Sequence, residues 1–200
     1  SPGSVRRSVT KEEKMKLLIA SDIHGSAEHC GQLLAAWERE GADRLLLLGD
    51  LLYHGPRNHL PEDYDTKRTM EILNSLKDRI TAVRGNCDSE VDQMVLSFPL
   101  MNTYEVIEAD GLLLFATHGH VYSPASPPPF VRFDVMLNGH THISALKDMG
   151  EYYYMNPGST SIPKGGTQHS YMTLENGLFT LKRLADGADL GSMKAEKKMP

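Results

Sequence analysis

The chain has 200 residues, a net charge of -5 and a sequence pI near 6.0. That length suits one sizeable domain with a buried core, and the charge offers no broad attraction for a polyanion or an anionic membrane surface. Its two cysteines, Cys30 and Cys87, have no CxxC spacing, which argues against a disulfide framework or a thiolate zinc site and for a reducing, cytoplasmic setting.

Residues 1 to 14, "SPGSVRRSVTKEEK", show no periodicity. They are expected to be a disordered leader or a cloning remnant, with Met15 as the natural start and residues 15 to 200 as one domain. The apolar runs "LLIA" and "RLLLL" are far shorter than the roughly 20 residues of a membrane helix, so no membrane partner is expected.

Two early units repeat one pattern: "KLLIA" ends in "SDIHG" and "RLLLL" ends in "GD". Each reads as a buried strand delivering polar residues at its carboxyl end. Between them "AEHCGQLLAAWEREG" places Leu33, Leu34 and Trp37 at helical spacing and closes on Gly41, a C-cap signal. A second helix is predicted over about Thr66 to Lys77, followed by the strand-like "ITAV" and a short helix in "VDQMVLSF". The intervening "YHGPRNHLPEDYD" reads as loop. The second half is β-rich. "NTYEVIEADGLLLFATHGH" and "SYMTLENGLFTLKRL" each carry a DG or NG turn between apolar runs. "SPASPPPF" is a surface or rim loop. Together these elements predict two packed sheets with helices outside, α/β at the start and more antiparallel later, in the α/β (α+β) class.

Polar residues collect after these runs. Asp22 and His24 follow the first, Asp50 the second and Asn86 the third; His118 follows "LLLFAT", and His140 and His142 follow "VML". If extended geometry continues through "SDIHG", Asp22 and His24 project to the same side. In an open α/β sheet the carboxyl ends of strands share one edge, so residues distant in sequence can converge there. Singly, each fits a helix cap, a turn or a surface histidine equally well. As an ordered set, D-x-H, G-D, G-N, H and G-H-x-H would require five independent coincidences.

Imidazole and carboxylate donors without thiolate suit Mn, Fe, Zn, Co or Ni. Seven residues exceed one site, but sharing one carboxylate they make two sites of four ligands, with metals about 3.5 to 4 Å apart. Two divalent ions bring four positive charges and Asp22 with Asp50 return two, leaving a surplus that favours a bridging hydroxide and a phosphate ester.

The motifs "SDIHG", "LLGDLL", "RGNCD", "ATHGH" and "NGHTH" resemble the calcineurin-like metallophosphoesterase superfamily. Its bacterial phosphodiesterase branch is resembled further through "HGPRN", "AVRGNCDSEVDQM", "FPL", "NPGS" and "SIPKGG", from Met15 to about Leu184. The resemblance implies a four-layer αββα sandwich of two packed mixed β-sheets flanked by helices. It implies Asp22, His24 and His142 on one metal and Asn86, His118 and His140 on the other, with Asp50 bridging and manganese as the first choice of ion. It also implies hydrolysis of a small phosphodiester by the bridging hydroxide, and a homo-oligomer among the partners.

Asp50, Asn86, Cys87 and His120 are the candidate catalytic residues. Cys87 stands where many superfamily enzymes place a histidine after the asparagine, as a leaving-group acid; Asp88 keeps the acid that follows it. Most simply, Cys87 is a small residue packing a turn; alternatively, its thiol restricts the enzyme to diesters. His120 faces the site or packs at its rim, and His54 and Arg57 are candidate phosphate contacts. Asn156 is a turn residue beside the site, and His29, His59 and His169 read as structural or exposed. Alternative functions are a phosphomonoesterase or nuclease with the same centre, or a mainly scaffolding protein like the retromer subunit of this fold. The acidic balance makes a long nucleic acid the weaker substrate.

Overall fold

The computed structural model describes residues 14–200, so the expected leader lies, but for Lys14, outside the described residues. Strands β1 (Leu17–Ala20), β2 (Arg44–Leu47) and β3 (Ile80–Ala82) run parallel, joined by helices α1 (Ala27–Glu40) and α2 (Thr66–Ser75). A short helix α3 (Glu90–Val95) follows β3. The chain then forms β4 (Tyr104–Ala109), β5 (Leu112–Thr117), β6 (Val135–Leu137), β7 (Ala145–Asp148) and β8 (Tyr153–Asn156). It ends in β9 (Ser170–Glu175), β10 (Leu178–Arg183) and β11 (Asp189–Lys194).

The first sheet has the order β11-β10-β9-β1-β2-β3 and the second β4-β5-β6-β8-β7. Both are mixed: β5, β6 and β8 are parallel, whereas β4 and β7 are antiparallel to their neighbours. Alternation along the strands builds the layers. Leu17 and Ile19 face the inter-sheet core with Leu46, Leu114, Val135 and Met155, whereas Leu18 and Ala20 face the helices with Leu33, Ala36 and Leu73. Each buried leucine contributes about 1.5–3 kcal/mol. The outer face of the second sheet is covered by a loop: Tyr122, Val131 and Phe133 pack on Phe115, Met136 and Tyr154. Within "SPASPPPF", Phe130 packs on Tyr104, with ring centroids 5.2 Å apart.

Local signals act as their chemistry requires. Ser26 caps α1 by accepting from His29 N–H, and Gly41 ends it in the left-handed conformation, φ 59°. Such a cap contributes about 1 kcal/mol. Asp110-Gly111 and Asn176-Gly177 all have positive φ, the requirement of a two-residue hairpin turn that matches strand twist. The sheets bring the carboxyl ends of β1, β2, β3, β5 and β6 to one edge.

Candidate metal centre

The structure brings Asp22, His24, Asp50, Asn86, His118, His140 and His142 into one cluster at that edge. His24 Nε2 lies 3.4 Å from Asp22 Oδ1 and 3.2 Å from His142 Nε2, and His142 Nε2 is 3.2 Å from Asp22 Oδ1. A second triplet adjoins the first: Asn86 Oδ1 is 3.0 Å from His118 Nε2 and 2.9 Å from His140 Nδ1, which are 3.2 Å apart. Asp50 Oδ2 stands between the triplets, 3.7 Å from His24 Nε2 and 3.2 Å from His118 Nε2.

Backbone groups aim these donors. His24 Nδ1 donates to Tyr53 O at 2.8 Å, His118 Nδ1 to Leu48 O at 2.6 Å and His142 Nδ1 to Ile162 O at 2.7 Å. A carbonyl only accepts, so each Nδ1 carries the proton and each neutral ring presents its Nε2 lone pair inward. The carboxylates are divided in the same way. Asp22 Oδ2 accepts from Ser21 Oγ and His140 N–H, while its Oδ1 is buried without a hydrogen-bond partner. Asp50 Oδ1 accepts from Cys87 N–H at 2.8 Å, leaving Oδ2 to the centre.

Such a set of converging lone pairs is repulsive unless a cation sits among them. Protons can serve in part: burial would lower His118, but Asp22 and Asp50 outweigh it and push its pKa up to about 9. Burial would likewise raise Asp22, yet His118, His142 and His24 hold its carboxyl well below the usual range. Metal ions fit the geometry better. Ligands at about 2.1 Å from an ion lie ~3.0 to 3.4 Å apart in octahedral or tetrahedral shells, which matches the separations within each triplet. The donor set, with second hydrogen bonds on three of the four histidines, has the chemistry of a divalent-metal site.

Backbone geometry differs from the extended course expected for "SDIHG". Asp22 has φ 56° and His24 φ 50°, and Asp50, His140 and His142 also have positive φ. The two residues still converge, because each turn of the chain is held by cross-strand bonds such as Asp22 N–H to Gly49 O and His24 N–H to Asp50 O. Left-handed non-glycine residues cost energy and concentrate at functional sites. Two glycines are required for close approach: a Cβ on Gly139 would strike Ser21 Oγ and lie 2.6 Å from Asp22 Oδ2, and one on Gly85 would strike Asp50 Oδ1.

The remaining candidates divide. Cys87 lines a cleft of about 320 Å³ with Asp50, Asn86, Arg57 and His140. Burial, then Asp50 and Asp88, push its thiol up to about 12, so it stays protonated and is no nucleophile at neutral pH. His120 packs its ring 5.4 Å from His118 and 6.1 Å from His140 and does not line the cleft. His54 packs between Tyr53 and Tyr64, away from the cleft lining, whereas Arg57 is part of it. Asn156 is buried and donates to Gly139 O and Thr141 Oγ1, bracing the "GHTH" turn.

Asp88 does more than the sequence suggested. Its buried carboxylate accepts from Asp50 N–H, Leu51 N–H and Gly85 N–H at 2.7–3.0 Å, clamping the ends of β2 and β3 together. His29 and His169, unconnected by any sequence signal, stack with centroids 4.2 Å apart. A larger cavity of about 760 Å³ opens at the β4–β5 turn, against Lys14, Asp110 and Lys197, and contains none of the cluster residues.

Residues 15–177 match the calcineurin-like phosphoesterase superfamily domain. The chain is 45% identical over 172 residues to phosphodiesterase YfcE of Escherichia coli K12, covering 86% of this chain and 94% of that protein. A solved structure of YfcE, a phosphoesterase from E. coli, superposes with a TM-score of 0.87 at 43% identity, covering 91% of this chain and all of the other. Vacuolar protein sorting 29 from Cryptosporidium parvum shares the fold at a TM-score of 0.61 and 19% identity, covering 90% of this chain and 98% of that one.

Proposed function

The chain belongs to the calcineurin-like phosphoesterase superfamily, and on that premise we propose that it is a metal-dependent phosphodiesterase acting on small phosphodiesters. Asp22, His24 and His142 would hold one divalent ion and Asn86, His118 and His140 the other, with Asp50 shared. Manganese is the proposed ion on the strength of the family resemblance; the nitrogen and oxygen donors suit it along with Fe, Zn, Co or Ni. When bound, such a pair supplies Lewis-acid polarisation of the phosphoryl group and an activated water as nucleophile.

The chain's own groups prepare that chemistry. The carbonyls of Leu48, Tyr53 and Ile162 hold the Nδ1–H of three imidazoles, so Nε2 is the atom each ring turns to the ions. The Cys87 amide holds Asp50 in its shared position, and the Asp88 clamp holds that amide's turn to β2. A cleft of about 320 Å³ suits a small ester better than a polynucleotide. At Cys87 the superfamily's imidazole acid is missing, which favours diesters whose leaving group departs without strong protonation. His120 would brace His118 and His140 from behind. The family match ends in the turn before β10; because β10 pairs along β9 and β11 along β10, we extend the domain through residue 200.

The observation that carries this reading is the unpartnered Asp22 Oδ1 facing inward imidazole nitrogens. The test is turnover of bis-p-nitrophenyl phosphate by chelator-stripped protein with and without added Mn²⁺. Activity that appears only with the ion is expected. No turnover by folded, metal-loaded protein would refute it.

A further inference from the structure

The cleft contains two cations that the metal centre does not use, Arg57 from the β2–α2 loop and Lys164 from the β8–β9 loop. Some other basic side chains of the fold pair with carboxylates: Lys16 and Lys182 with Glu40, Arg84 with Glu90, Arg183 with Asp186 and Lys198 with Asp148. Among the described residues, neither Arg57 nor Lys164 has a carboxylate within 4.0 Å. What sets these two apart is that both line the cleft together with Asp50, Asn86, His140 and His142.

The placement of the lysine is built. Lys164 N–H donates to the backbone carbonyl of His142 at 2.9 Å, which ties this lysine to the metal cluster. Its Nζ donates to Asn58 Oδ1 at 3.0 Å, and Asn58 Nδ2 donates to His54 O at 2.9 Å. The ammonium is therefore latched across the cleft mouth by a neutral acceptor that leaves its charge available. Beneath the same loop, Gly55 lies against Cys87; a Cβ at Gly55 would stand 3.0 Å from Sγ. The small residue at 87 thus lets the loop carrying Arg57 lie close to the centre.

Charge decides what this arrangement can take. A simple diester brings one negative charge, and the proposed ions already exceed the two carboxylates by two. Two further cations beside the reacting phosphate are unmatched by such a substrate. We propose that Arg57 and Lys164 form an anion subsite that selects diesters bearing a second phosphate or carboxylate on one arm. This rests on the phosphodiesterase reading and specifies its substrate class. Guanidinium and ammonium donors form charge-assisted hydrogen bonds with such groups, and the neutral Asn58 latch keeps the lysine oriented before the ligand arrives.

The test compares p-nitrophenyl 3-carboxypropyl phosphate with p-nitrophenyl butyl phosphate, which differ only in carboxylate against methyl at the arm's end. Wild-type protein with Mn²⁺ should favour the carboxylate ester by about tenfold in kcat/KM, mainly through KM. Lys164→Met and Arg57→Gln should each reduce that preference, and the double variant should bring it close to one; Lys164→Arg should retain it. Calorimetric binding of 4-phosphonobutyrate against pentylphosphonate reads the subsite without turnover. Equal treatment of both pairs by the wild type, or a preference that survives in the double variant, would overturn the proposal. Failure to hydrolyse either ester, with 4-phosphonobutyrate still bound preferentially, would instead count against the phosphodiesterase reading alone. Should Lys164→Met misfold, Arg57→Gln decides, since the Arg57 side chain makes no hydrogen bond or ion pair among the described residues.

Discussion

Adding one methyl group at Gly85 should disable the centre while leaving the seven proposed ligands in the sequence. Gly85 is not in the left-handed region, so alanine there brings no backbone strain of that kind, only contact. Its Cβ would strike Asp50 Oδ1 and lie 2.6 Å from Asp50 N and 2.9 Å from Asp50 Cγ. Reaching the 3.4 Å where ordinary contact begins requires Asp50 N to move by about 0.8 Å and its Oδ1 by more than that. Metal–ligand distances tolerate roughly ±0.2 Å, so Asp50 could no longer serve both sites. Overpacking should cost about 1–3 kcal/mol of stability, and a displacement near 1 Å should lower turnover about 100-fold. Gly31, inside α1 with nothing within 4 Å of its Cβ, provides the contrast. Gly31→Ala should gain about 0.5–1 kcal/mol and keep full activity. The assay is metal content by elemental analysis beside thermal melting and diester turnover. A Gly85→Ala protein with wild-type metal content and rate would refute the reasoning.

Replacing Asp88 by Asn presents an NH₂ group to amides that now donate to carboxylate oxygen; about 1–3 kcal/mol of stability and 10–100-fold in metal affinity should be lost, read by melting and Mn²⁺ titration. Cys87→His should raise monoester relative to diester hydrolysis, while its bulk displaces the loop at Gly55; an unchanged ratio of p-nitrophenyl phosphate to bis-p-nitrophenyl phosphate rates would defeat the proposed role. Without metal, the stability of the protein should fall as pH rises. His118 has its folded pKa raised to about 9 from an ordinary 6.5, so its stabilisation is complete below about 6.5 and disappears by about 9. His24, also raised, acts in the same direction. Melting temperatures of chelator-treated protein across pH 6 to 9.5 check this, and saturating Mn²⁺ should remove the decline.

Much of the fold was legible because local chemistry and tertiary demand agree. Gly41 ends α1 and the Asp110-Gly111 and Asn176-Gly177 turns fall where the apolar runs break. The cluster was legible as well, since Asp22, Asp50, Asn86, His118 and the "GHTH" pair each end a run that must be buried. How they converge was not. The left-handed turns at Asp22 and His24 are stabilised by bonds to the β2 loop, and nothing within "SDIHG" encodes those partners. The Asp88 clamp joins residues 37 and 38 positions apart, and the Lys164–Asn58 latch spans 106. The cover on the outer face of the second sheet was less legible. The aromatic loop that covers it, with Phe130 against Tyr104, has no periodicity by which sequence could announce it.

The account stands most directly on how many ions the cluster holds. Chelator-stripped protein equilibrated with Mn²⁺ and passed through a desalting column should retain two ions per chain by elemental analysis. Asp50→Ala should retain fewer, because it removes the carboxylate placed between both triplets. Retention of one ion or none by the wild type, or two by Asp50→Ala with undiminished affinity, would contradict a shared binuclear centre.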